Sequence, residues 1–204
     1  MTLVYMIRQV LAHPLDYFQD IQQPNRLKWS YGFLLVFIAF LARMGSLLLL
    51  GYHYETREAY EISYAYEFVW ILVPWLTWSA ANWSVSTILE GEGKFKEILV
   101  GSAFCLVPYI VLIIPVTLLT NVLSLSEGNL YSLMTTLIFG WVALLLLIKL
   151  KVLHDFELGK LVFITLLTLL AMAVIWFIGI LLYGLLSQFL SFFFDVFKEI
   201  RFRL

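Results

Sequence analysis

Residues 89–108 read LEGEGKFKEILVGSAFCLVP. The first nine of them hold two glycines, three glutamates and two lysines, yet long apolar runs lie on either side. Charge at that density is expensive in hydrocarbon, so the segment is a loop between two membrane spans. Working outward from it gives the plan of the chain. Of the 204 residues, 62% are hydrophobic and 13% charged, against about a quarter charged in soluble domains. A hydrocarbon core about 30 Å thick needs around 20 apolar residues in a helix. Five runs meet that need: Trp29 to Leu50, Tyr66 to Leu89, Ile98 to Leu119, Leu130 to Ile148, and a last run from Leu161 to Phe194. The last run would measure roughly 50 Å as one helix. Its interior offers only Gly179 and Gly184 as breakers, so it reads as one crossing with a helical extension.

The two ends differ from the middle. Leu3, Met6, Ile7, Val10, Leu11, Leu15 and Phe18 recur at helical spacing, with Arg8, Gln9, Asp16, Gln19 and Asp20 around the other side. This is an amphipathic helix suited to the headgroup region or to a partner. Leu3 to Leu11 is too short and too broken for a signal core, and Pro24-Asn25 punctuates the chain before the first span. Phe95-Lys96-Glu97-Ile98 recurs as Phe197-Lys198-Glu199-Ile200, and Phe18-Gln19-Asp20-Ile21 has the same form. Phe and Ile at i and i+3 share a helix face, which suits an interfacial turn. Lys and Arg collect on cytoplasmic loops. Arg8, Arg26, Lys28, Lys94, Lys96, Lys149, Lys151 and Lys160 fall on one side of the five-span plan, against Arg57 on the short loops of the other. The N-terminus is therefore cytoplasmic. The charged tail falls outside, where Phe189, Phe193, Phe197 and Ile200 would face lipid or a neighbouring subunit and Lys198, Glu199 and Arg201 water.

HPLDYFQDI before the first span, GEGKFKEI after the second, and AFCLVPYIVLIIP in the third follow one another in an order that resembles the Yip-domain family of small polytopic proteins. The resemblance covers roughly residues 8–190. It implies an all-α polytopic membrane bundle: a cytoplasmic amphipathic segment 1–28, a five-span Yip-like domain 29–194 and an amphipathic tail 195–204. Eukaryotic members bind Rab-type GTPases through a longer N-terminal region. With fewer than 30 residues before its first span, this chain is more similar to the short prokaryotic type, for which the resemblance implies fold and location but no reaction.

Polar residues at membrane depth are functional candidates. Arg43 in the first span and Glu67 in the second lie at matching depth in the outer half, as a candidate ion pair. Glu67, Ile71, Pro74, Trp78 and Asn82 step by three or four along one face of the second span. That face suits a cavity for a lipid headgroup or polar solute, or a bundle contact with Asn82 bonding across it. Pro108 and Pro115 allow the same two readings of the third span. Partner contacts are expected at Met6, Val10 and Phe18 of the first helix and at Gly91, Gly93 and Phe95 of the loop. Cys105 reads as a small packing residue, and there is no cysteine framework. His13, His53 and His154 are scattered, and no phosphate loop, serine elbow or metalloprotease helix is present. His53, Glu55, Glu58 and Glu61 read as a solvated acidic loop rather than a metal site. No catalytic set, metal site or cofactor is expected. The net charge of −1 gives no reason to expect nucleic acid. The sequence thus points to a non-enzymatic protein of the cell membrane, an adaptor or accessory subunit that binds membrane proteins, lipids or its own copies. A transporter or channel subunit for a small polar solute or lipid is the alternative.

Overall fold

A computed structural model describes residues 3–23, 27–54, 59–89 and 91–203. Pro24, Asn25, Arg26, Glu55, Arg57 and Glu58 lie outside the described residues, so the punctuation before the first span and half of the acidic loop do too. Eight α-helices follow in order among the described residues: α1 (Leu3–Ala12), α2 (Pro14–Asp20), α3 (Trp29–Leu48), α4 (Tyr64–Ile88), α5 (Phe95–Phe104), α6 (Val107–Leu119), α7 (Gly128–His154) and α8 (Leu158–Arg203). No strand occurs among the described residues. The chain is an all-α polytopic bundle.

Among the described residues four stretches are long and apolar enough to cross a membrane: Trp29–Leu48, Phe95–Leu119, Gly128–His154 and Leu158–Phe202. The other helix of the bundle, α4, has 25 residues and hence the length. Its tyrosines, tryptophans, serines, threonines and asparagine make it less apolar than those four stretches.

The expected third span is two helices. Pro108, near the start of α6, has no N–H to offer the carbonyl of Phe104, so the ladder lapses there. Cys105 N–H still reaches Gly101 O at 3.2 Å, but Leu106 N–H tightens onto Ala103 O at 3.1 Å. The α5 half is the centre of the molecule, with every residue from Ile98 to Phe104 buried.

The N-terminal segment departs from the sequence expectation. Instead of one helix on the membrane surface, there are two, broken at His13, with Pro14 opening the second. Proline suits a first turn, whose N–H groups have no helical partner anyway. Gln9 Nε2 donates to Asp20 Oδ2 at 3.0 Å and ties the two helices together. Met6, Val10, Tyr17, Phe18 and Ile21 then pack into the central core with Leu35, Trp75, Ile98 and Phe104. An amphipathic period says that one face avoids water, but it leaves open what covers that face. Here the bundle covers it, so residues 3–23 belong to the same core as the spans.

The loops sort onto two ends. At one, Gln22 Nε2 donates to the last carbonyls of α7, at Val152 and Leu153, and Gly93 N–H donates to His154. The N-terminal segment and the loops before α5 and α8 thus share this end, which carries Lys94, Lys96, Lys151 and Lys160. At the other, Gly51 N–H donates to Thr120 Oγ1, Tyr54 Oη to Ser124 O and Asn121 Nδ2 to Leu49 O. From the basic end α8 runs 46 residues without a break. It packs on α4 and α7 early, and from Phe177 to Phe202 every residue is exposed. Residues 195–203 continue that helix rather than forming a separate amphipathic tail.

Candidate functional site

The helix α4 builds the site. Ser63 caps it by accepting from Tyr66 N–H, and Pro74 interrupts its ladder from within. Thr77 Oγ1 donates back to Val73 O at 2.8 Å and accepts from Trp176 Nε1 of α8 at 3.0 Å. The carbonyl that Pro74 leaves without an N–H is that of Trp70, so the Thr77 hydroxyl adds to the helix ladder one turn on rather than repairing it. Trp75 Nε1 donates to Leu99 O at 3.1 Å, and Ser79 pairs with Ser102 at 2.9 Å, which fixes α4 against α5.

Between α3, α4, α5, α6, α7 and α8 this arrangement leaves a cavity of about 670 Å³. Trp70, Pro74, Trp75 and Trp78 line it from α4, Tyr109 from α6, Phe139 and Leu146 from α7, and Leu169 and Met172 from α8. At its wall, Arg43 Nε donates to Glu67 Oε2 at 3.0 Å. Glu67 is 5% exposed, the Arg43 side chain is 35% exposed, and Tyr109 lines the same cavity. The carboxylate is thus held inside the bundle while the guanidinium lies at its edge. A second, shallower groove of about 450 Å³ runs between α4 and α8, past Val73, Thr77, Trp176 and Tyr183.

The structure brings together some of the sequence candidates and separates others. Arg43 and Glu67 meet, and Pro74 and Trp78 line the same cavity. Asn82, one turn further along α4, does not line it; its side chain is 0% exposed and its amide has no partner among the described residues. Met6, Val10 and Phe18 offer no docking face, because each is 1% exposed or less inside the chain's own core. Phe95 is held between Trp29 and Trp83, with ring centroids 6.2 and 5.5 Å away. Gly91 and Gly93 press on the His154 ring, and a Cβ on either would come within 2.6 Å of it. Those glycines serve a close approach rather than a free reversal. Sequence reasoning missed Ser102, Tyr109, Leu146, Leu169 and Met172, whose apolar periodicity looks the same toward a cavity as toward lipid. Among the described residues no group of three His, Cys, Asp or Glu side chains could hold a metal ion.

The order of spans, the charged glycine loop before α5 and the proline-interrupted α5–α6 pair all fit one family, whose Yip1 domain model matches residues 8–181. The chain belongs to the Yip1 domain family. No curated protein and no solved structure matches it. The Yip1 domain match opens inside α1 and takes in α2 and every helix that lines the cavity. It closes at Leu181, within the exposed part of α8.

Proposed function

We propose that this Yip1 domain protein is a non-enzymatic, five-span protein of the cell membrane, with its basic end in the cytoplasm, that holds a lipid in its central cavity. The observation that carries this reading is the cavity itself: about 670 Å³, within the range of small-molecule sites, lined by tryptophans and aliphatic side chains, with one ion pair at its wall. Aromatic and aliphatic walls suit an acyl chain, and the Arg43 guanidinium at the edge suits a polar headgroup. The role is that of an accessory subunit, with the exposed length of α8 offered to lipid, to a partner membrane protein or to a second copy. The test is native mass spectrometry of the protein released from its own membrane. Bound lipid should be retained by the wild-type chain and lost on filling the cavity with Leu169→Trp. Equal lipid occupancy in the two would sink the reading.

The alternative, a subunit passing a small polar solute, draws on the line Glu67, Pro74, Trp78, Asn82 and Ser86 along α4. It requires solute-dependent flux in reconstituted vesicles, which a lipid holder would not show.

A further inference from the structure

Helix α4 borders two spaces at once. Tyr66, Glu67, Ile71 and Trp78 line the central cavity, while Val69, Val73 and Thr77 line the groove against α8. Trp70 and Pro74, one turn apart, line both, so a ridge of two side chains is what divides them. The two spaces run side by side. Along α4 the cavity extends over residues 66–78 and the groove over 69–77, about 18 and 12 Å at 1.5 Å per residue. Both begin near the start of α4, where Arg43 Nε meets Glu67 Oε2 at 3.0 Å. On α8 the cavity wall ends at Met172 and the groove wall starts at Ile175, so one helix borders both in succession.

The groove is apolar along its length. Trp176 Nε1 donates to Thr77 Oγ1 at 3.0 Å, which ties α4 to α8 and uses the one threonine hydroxyl in its wall. Gly179 keeps it open. Glycine in a membrane helix commonly lets another helix approach closely. None does here, since no atom of the described residues lies within 4 Å of a Cβ placed on Gly179. The rim between the two spaces is aromatic: the Trp70 ring is 5.9 Å from that of Tyr66 and 6.3 Å from that of Trp176. Tryptophan and tyrosine favour the level where acyl chains give way to headgroups. Two apolar slots on a parallel course, with one guanidinium near their common start, match a molecule with two chains and one anionic group.

We propose that the cavity and the α4–α8 groove are two halves of one site for a phospholipid with two acyl chains. One chain lies in each half, the chains part over Trp70 and Pro74, and the phosphate lies at Arg43. The proposal rests on the reading of the cavity as a lipid holder and names the class of lipid. A single-chain lipid would fill the cavity alone. Joining the second chain to the first makes its entry into the groove intramolecular, which raises affinity without any new contact to the first.

The test is native mass spectrometry of the full chain, stripped of lipid in detergent and titrated with three probes. These are dioleoyl phosphatidylethanolamine, its single-chain lyso form, and dioleoylglycerol, which lacks the phosphate. Wild type should bind the first roughly tenfold or more tightly than either of the others. Gly179→Trp, which fills the groove where there is open space, should bring the two-chain phospholipid down to the level of the lyso form and leave the lyso form unchanged. Val73→Trp fills the same groove from α4 should Gly179→Trp not fold. Leu169→Trp, in the cavity wall, should weaken all three. Undiminished phospholipid binding in the groove variants removes the groove from the site and leaves the cavity reading standing. Unchanged binding in Leu169→Trp sinks the cavity reading and this proposal with it. Wild-type affinity no greater than for the lyso form overturns the two-chain site, and affinity no greater than for dioleoylglycerol overturns its phosphate.

Discussion

The α5–α6 stretch and α8 are both apolar enough to cross a membrane and end up in opposite surroundings. Within the α5–α6 stretch Phe95–Leu119 an 18-residue window has a mean hydropathy of 2.4 and is 67% buried, whereas such a window of Leu158–Phe202 has 2.8 and is 17% buried. The more apolar helix is the more exposed one. In a bilayer this is no paradox, because lipid tails are as apolar as leucine and hydropathy reports only escape from water. What separates the two is size. Gly101, Ser102, Ala103 and Cys105 let α3, α4 and α7 close around α5. Phe189, Leu190, Phe192, Phe193 and Phe194 of α8 keep other helices away and present bulk to acyl chains.

The sharpest way to break this comparison is to truncate a phenylalanine in each helix. Phe104→Ala, at 0% exposure, should cost about 3–5 kcal/mol of stability. Phe193→Ala, on the exposed part of α8, should stay within about 0.5 kcal/mol. Unfolding curves in one detergent measure both, and similar losses would mean that α8 is covered by protein in solution.

The ion pair tests whether the cavity wall between α3 and α4 is as dry as the α5 core. Arg43→Leu or Glu67→Leu should each cost about 1–3 kcal/mol, below the figure for a fully buried pair because Arg43 is one-third exposed. The double variant should recover part of the loss, and strictly additive losses would show that the two charges act separately. At the basic end, Gly93→Ala puts a methyl within 2.6 Å of His154 Cε1 and should cost about 1–2 kcal/mol. Pairing it with His154→Ala should relieve that clash, and an undiminished loss would place the strain in the backbone instead.

The smallest effect belongs to a group with no burial at all. At the start of α7, Ser124 gives Glu127 two hydrogen bonds, from its N–H at 2.9 Å and its hydroxyl at 3.0 Å. These hold the carboxyl below its ordinary value of 4.5. A depressed carboxylate contributes stability that is fully present above the unfolded value and fades as pH falls through the folded one. Wild type should therefore lose slightly more stability than Glu127→Gln as pH drops below about 4.5. Parallel acid limbs would mean that the turn before α7 does not hold the helix.

The same contrast explains what could be read from the sequence. Span order and the unbroken α8 follow from run length and the scarcity of breakers. The meeting of Arg43 and Glu67 follows from depth, since successive spans are neighbours and both residues lie a similar distance from the loop that joins them. The burial of Met6, Val10 and Phe18 did not follow, because periodicity marks an apolar face without naming its cover. Lys149 is the more instructive case. It stands beside Lys151 and counts equally with it in a loop-charge tally, yet one is 0% exposed and the other faces out. Two residues of helix turn the side chain through most of a half-circle, and only the neighbours of α7 decide which side is inside. The break at Cys105 was half legible, since Pro108 announces a weak point but not whether the helix bends or stops.

The length of α8 has one more consequence. Its apolar run from Leu161 to Phe194 measures about 51 Å, whereas hydrocarbon about 30 Å thick can enclose only about 39 Å of a helix at the steepest usual tilt of about 40°. The surplus is a hydrophobic mismatch built into the chain. Thicker bilayers would cover more of it, so lengthening the acyl chains of the host lipid should favour the inserted protein, and a thin membrane should be pulled upward around the helix. A helix of this length ties the energy of inserting the protein to the thickness of its membrane.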